Sequence, residues 1–258
     1  MNRSIALLYG AIVYCFFLAT FLYAIGFVGN VVVPKAIDGR VSSPFVAALI
    51  LNVALLGLFA VQHSVMARPA FKRYWTTIVP KPVERSTFVL FASLVLALLM
   101  WQWQPMPAVV WTVVNPIGVA ALQVTFLLGW ATVLVSTFLI NHFELFGLKQ
   151  AYAFFRSREL VRPAFRTPVL YRWVRHPIYL GFLLAFWAAP QMSVGHLLFS
   201  VATTGYILIG IWFEERDLVA EFGEQYRRYR ASVGMLLPRL PSRSRLDRDT
   251  ARHPSAHA

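Results

Sequence analysis

The chain has 258 residues, 58% of them hydrophobic and 14% charged, with a formal net charge of +13. A soluble domain carries about 25% charged residues and no apolar run of ~20, so a soluble globular enzyme is excluded. The single cysteine, Cys15, rules out a disulfide within the chain.

The first hydrophobic block covers residues 4–33. It is too long for a signal-peptide core and lacks a convincing cleavage site, so it is expected to remain as an anchor. Cys15 lies inside it, facing lipid or packed as filler. The second block, 43–66, ends in Gln62-His63-Ser64. Residues 86–143 then hold no Asp, Glu, Lys or Arg, a stretch longer than two spans of about 20 residues. It divides into blocks 86–103 and 113–142, and the latter ends in Asn141-His142-Phe143-Glu144. Trp101, Trp103 and Trp111 flank the turn between them, where interfacial aromatics are expected. The last block, 178–213, is too long for one simple helix and is broken by Pro190. It reads as a helical hairpin turning at Pro190-Gln191-Met192-Ser193, with a short first leg.

These blocks predict an all-α integral membrane protein of five or six transmembrane helices, the last two forming a hairpin followed by a cytoplasmic C-terminal helix. Residues 1–238 form one membrane domain, and 239–258 a disordered basic tail. Of the 24 Lys and Arg, 22 fall on one side of this topology, and only Lys35 and Arg40 on the other. That bias predicts cytoplasmic termini and accounts for the charge without nucleic acid.

Polar groups inside a membrane are costly and mark function. The topology brings four polar clusters to one leaflet: Gln62-His63-Ser64, Asn141 to Glu144, Arg175-His176-Pro177, and Glu214-Glu215. Helix ends at an interface are also polar for ordinary reasons, so each cluster has a bland reading. Pro177 suits a first helical turn. Arg175 offers a positive fork for a carboxylate. Gly181 leaves room for a ligand or for another helix. Glu214 and Glu215 are adjacent, so they point about 100° apart on a helix. Gly223 suggests a bend before Tyr226 and Tyr229, which share a helix face. No phosphate-binding loop, dinucleotide fingerprint or zinc-protease motif is present, and the histidine spacing requires no metal. His196 falls in the outer half of the hairpin and reads as structural.

Arg175-His176-Pro177-x-Tyr179-x-Gly181, a hydrophobic hairpin, Glu214-Glu215, Phe222-Gly223 and Tyr226-x-x-Tyr229 together resemble the integral-membrane methyltransferases, which include isoprenylcysteine carboxyl methyltransferase and bacterial phospholipid methyltransferases. The segments Val61 to Pro69 and Asn141 to Leu148 are similar to the methanethiol S-methyltransferase branch. Gln62-His63-Ser64 is also similar to NnrU-like membrane proteins. The resemblance implies an enzyme of a bacterial inner membrane that uses S-adenosylmethionine to methylate methanethiol to dimethyl sulfide. It implies that residues 170–238 bind S-adenosylmethionine, with His176, Tyr179, Gly181, Glu214 and Glu215 as candidate contacts, joined by Arg175, Tyr226 and Tyr229. A lipid amine or a prenylated thiol is the alternative acceptor, and a non-catalytic NnrU-like protein the alternative class. No resemblance names a base. Proton removal from a thiol points to His142 or His63, with Glu144 as the orienting partner, since neutral imidazole has a suitable pKa of about 6.5.

Overall fold

The computed structural model describes residues 1–40, 43–160 and 165–239. The basic-tail expectation beyond Arg239 therefore lies outside the described residues. Among the described residues the structure is predominantly helical. Five helices are long and apolar enough to cross a membrane: α1 (Arg3–Gly29), α2 (Phe45–Ala67), α4 (Lys81–Gln102), α5 (Pro116–Ile140) and α9 (Val194–Phe222). Between them lie α3 (Pro69–Trp75), α6 (His142–Leu145), α7 (Leu148–Phe155) and the short apolar α8 (Pro177–Trp187), and α10 (Glu224–Ser232) follows α9. The predicted hairpin is α8–α9, and Trp173 and Val174 stay outside its first leg, which begins at Pro177. At 11 residues α8 is about 16 Å long, too short to span a bilayer alone.

Local chemistry sets the ends. Asn2 and Asn115 accept hydrogen bonds from the first-turn amides of α1 and α5, and Ser193 caps α9 through the His196 amide. Pro82 and Glu84 let α4 begin at Lys81, five residues before the charge-free run starts. Gly223, at φ +56° and ψ −127°, takes a conformation that L side chains avoid and turns the chain from α9 into α10.

One end of the bundle is tied by polar clips. Strands β1 (Val109–Thr112) and β2 (Gln191–Ser193) pair antiparallel there. The Asn52 side chain donates to the Gln104 carbonyl (2.7 Å) and accepts from its amide (2.9 Å). Asp38 accepts from Ser193 and from Asn30 (2.8 Å). The Phe186 carbonyl, freed near the end of α8, accepts from Ser200 at 2.7 Å and faces His196 Nε2 at 3.0 Å. In lipid an orphan carbonyl of this kind is expensive, so His196 has a structural task. Of the three tryptophans expected at this interface, Trp101 is exposed, whereas Trp103 is fully buried and donates to the Ile37 carbonyl. Packing has displaced it from the headgroup belt.

Small residues bring α5 against α8. A β-carbon on Gly181 would stand 2.6 Å from the Gly129 carbonyl oxygen, and one on Gly129 would stand 2.7 Å from the Gly181 carbonyl oxygen. Without a hydrophobic driving force between helices in lipid, such close backbone approach supplies the association. Gly181 thus serves the second of its two sequence readings, packing against a helix. Gly181→Leu is expected to lower stability by about 1–3 kcal/mol through overpacking, read as an earlier melting of the detergent-solubilised protein. Gly57→Ala, whose added carbon meets nothing within 4 Å in the middle of α2, is expected not to lower the melting temperature and to raise it slightly through helix propensity.

Candidate functional site

The foot of the hairpin gathers most of the residues singled out by sequence. Glu215 is its centre. Arg175 Nε donates to Glu215 Oε1 at 2.7 Å, and Arg175 Nη2 stands 2.7 Å from the same oxygen. His176 Nε2 lies 3.1 Å from it. The Arg175 and Glu215 side chains are only 8% and 12% exposed, so this is a buried ion pair. Glu214, nearly half exposed, accepts from the Tyr179 hydroxyl at 2.8 Å and lies 3.9 Å from His176 Nδ1. The adjacent glutamates therefore diverge, one inward and one toward an open side.

The chain beyond α10 closes over this foot. Arg175 Nη1 donates to the carbonyls of Val233 (2.6 Å) and Arg230 (3.1 Å). The amides of Arg175 and His176 donate to the carbonyls of Gly234 and Met235. Arg175 is thus spent on the protein itself, tying α8, α9 and the segment after α10 together. The carboxylate it was expected to hold is that of Glu215. Tyr226 is buried and its hydroxyl has no partner among the described residues; Tyr229 donates to the Tyr171 carbonyl at 2.5 Å. Phe165 packs against Phe222, Tyr226 and Tyr229. Burial, then the Glu215 carboxylate, pushes the Tyr226 phenol above its usual range. Burial likewise pushes Tyr229 up to about 12, opposed by Arg175. Tyr171 is raised by burial and by Glu214, and its hydroxyl is also buried without a partner among the described residues.

A polar seam leads from this foot to α2. Tyr206, on α9, lies among the electrostatic neighbours of Tyr179 and reaches Ser64 with its hydroxyl. Its ring meets that of His63 edge-on, with centroids 6.3 Å apart. Arg68 pairs with Asp217 at 3.3 Å and lies over the Phe213 ring at 4.5 Å. His63 is held between Phe59 and Phe88, at 5.4 and 5.0 Å. Its Nδ1 and the Gln62 Oε1 are buried without a hydrogen-bond partner among the described residues. Tyr206 carried no signal in the sequence, being one aromatic among many in an apolar span.

His142 sits apart from that seam. Thr137 Oγ1 donates to the Leu134 carbonyl (2.7 Å), so its lone pair accepts from His142 Nδ1 (2.8 Å). The other ring nitrogen then accepts from the Tyr14 hydroxyl at 2.8 Å. Phe138 stacks on the ring at 4.1 Å. His142 therefore clasps α1 to the end of α5 with both nitrogens engaged. Glu144 does not orient either histidine: it accepts from Asn141 (2.6 Å) and Lys149 (2.7 Å), partners near in sequence that reach it first. No cluster of three or more metal-ligating side chains occurs among the described residues.

No family model and no solved structure matches the chain. Curated relatives do. Methanethiol S-methyltransferase of Mycobacterium tuberculosis is 58% identical over 238 residues, covering 92% of this chain and 98% of its own. That of Crocosphaera subtropica is 50% identical over 244 residues, covering 95% and 96%. Methanethiol S-methyltransferase 1 of Bradyrhizobium diazoefficiens is 56% identical over 237 residues, covering 92% and 83%. Identity this high over nearly the whole membrane domain places the chain in the methanethiol S-methyltransferase family.

Proposed function

We propose that the chain transfers a methyl group from S-adenosylmethionine to methanethiol, forming dimethyl sulfide, at the cytoplasmic leaflet of a bacterial inner membrane, with both termini in the cytoplasm. The names of the relatives support the acceptor. The concentration of Lys and Arg on the face that carries the hairpin foot supports the orientation. The observation that carries the reading is the hairpin foot, where the half-exposed Glu214 carboxylate accepts from Tyr179 at 2.8 Å beside the buried Tyr171 and Tyr226 hydroxyls, which have no hydrogen-bond partner among the described residues.

The foot suits a polar, cationic donor. Glu214 keeps a partly exposed carboxylate for an amino group or ribose hydroxyls. The buried, unpaired hydroxyls of Tyr171 and Tyr226 offer donors that the protein leaves unused. Their rings, with Tyr179, supply the faces that attract a sulfonium. When bound there, S-adenosylmethionine supplies an electrophilic methyl on a positive sulfur. His176 and Arg175 hold Glu215 and so fix the start of α8 beneath it. A small apolar thiol reaches such a site sideways from lipid, and a dry wall excludes water as a competing acceptor. Proton removal falls to His63, because the sulfur attacks as thiolate. His142 has both nitrogens committed to Thr137 and Tyr14 and is a brace.

Membranes carrying the chain, given methanethiol and S-adenosylmethionine, are expected to release dimethyl sulfide into the headspace. A different methylated thiol, or a methylated amine, would replace the acceptor. His176→Ala and Glu214→Ala are expected to weaken calorimetric binding of S-adenosylmethionine by about tenfold or more, the loss of one charge-assisted contact. Unchanged affinity in both overturns the placement at the hairpin foot.

His63→Ala is expected to lower turnover while S-adenosylmethionine still binds; joint loss of both would make His63 a packing residue. His142 differs in kind. Burial lowers its pKa, so the fold favours the neutral ring. Its contribution to stability is complete above about pH 6.5 and is lost as pH falls below that. The melting temperature of the wild type is expected to drop between about pH 7 and 5, and His142→Gln to flatten that dependence.

A further inference from the structure

Arg85 lies between two of the polar clusters and belongs to neither. Its Nε donates to the Leu145 carbonyl at 2.8 Å, in the segment that follows α5. Gly147 makes that contact possible: at φ +85° it presses on the second turn of α4, where an added β-carbon would meet the Ser86 amide nitrogen at 2.5 Å. The guanidinium carbon lies 5.1 Å from the Phe88 ring centroid, and His63 lies 5.0 Å from the same ring, so both side chains lie against one aromatic residue. Among the described residues no carboxylate pairs with Arg85. Glu144 is held by Lys149, and Glu84 acts on it only at longer range. No acceptor among them takes a hydrogen bond from its two terminal nitrogens. A guanidinium with no paired carboxylate at the end of a membrane helix is poorly compensated, and Arg85 lies within electrostatic reach of His63, whose Nδ1 is buried without a hydrogen-bond partner among the described residues. The neighbouring Lys72 feels the same field: burial, then Arg85, holds its ammonium below the usual range.

We propose that Arg85 is the anion-stabilising group for the methyl acceptor: its free guanidinium edge holds the sulfur of a small thiolate beside His63. This rests on the methyl-transfer reading above. In the step, the S–H bond of the thiol breaks, its proton passes to a free ring nitrogen of His63, and the electron pair stays on sulfur facing the guanidinium. The sulfur then forms its bond to the donor's methyl carbon, and the pair of the breaking C–S bond goes to the donor sulfur, which becomes a neutral thioether. The His63 proton leaves to solvent afterwards. The charges that reach Arg85 from its surroundings are Glu84 on its own helix, Glu144 after α5, Lys72 on α3 and His63 on α2.

The test uses 2,2,2-trifluoroethanethiol as probe with the full chain in nanodiscs, its fluorine resonance reporting ionisation of the bound thiol as pH is raised. The bound thiol is expected to ionise at lower pH than the free thiol. Arg85→Gln moves the midpoint back toward the free value, and Arg85→Lys, which keeps the charge but not the fork on Leu145, restores part of the shift. In turnover, Arg85→Gln is expected to lose about tenfold or more in kcat/KM for methanethiol near neutral pH and to recover it as pH rises, with S-adenosylmethionine affinity retained. A loss that is the same at every pH is the signature of a structural role and overturns the proposal. So does a midpoint shared by wild type and Arg85→Gln, or the absence of any protein-dependent shift. A wild type that lowers the thiol's midpoint but makes no dimethyl sulfide would sink the methyl-transfer reading and leave the thiolate site standing.

Discussion

The carboxylate of Glu215 is the interaction on which the C-terminal half depends. One oxygen receives Arg175 and faces His176, and the other lies 3.8 Å from Arg230. Those contacts join the start of α8, the end of α9 and α10. In water each would be worth little; beneath a lipid surface the same charges are poorly solvated. Removing one member of a buried pair leaves an uncompensated charge and costs about 3–5 kcal/mol. The ion pair, together with the backbone pairing of residues 174–176 with Gly234 and Met235, fixes a foot that the short α8 could not hold by itself.

The second constraint is the approach of α5 and α8 through Gly129 and Gly181. It allows an 11-residue helix to be part of the bundle. Gly181 lies at the level of Val133, about two turns inside the end of α5 at Ile140, and the polar start of α8 lies about one turn further toward that end. Glycine at position 181 is therefore a requirement of helix packing, and it acts on the site through the placement of His176 and Tyr179.

Two histidines that look alike in sequence have opposite environments. His142 follows an apolar span and is satisfied on both nitrogens by Thr137 and Tyr14. His63 lies inside its span and is surrounded by rings that cannot satisfy it. An unsatisfied buried nitrogen is a reserve of binding energy, whereas a satisfied one is a strut. The same distinction separates Arg175, wholly engaged by protein acceptors, from Arg85, whose forward edge is free.

The membrane class, the helical hairpin and the grouping of polar clusters at one face were legible in the sequence, because hydrocarbon thickness sets helix length and charged residues are confined to helix ends. The link between His176, Tyr179 and the glutamates was legible as a motif, since the hairpin brings its two feet together whatever the packing. The partners of His142 were not: Tyr14 lies 128 positions away and reached it only when α1 packed beside α5. Tyr206 and Arg85 were equally silent, one hidden among aromatics and the other among interfacial basic residues. Which polar atoms are spent and which remain free depends on distances between helices, and periodicity along one chain carries no record of those distances.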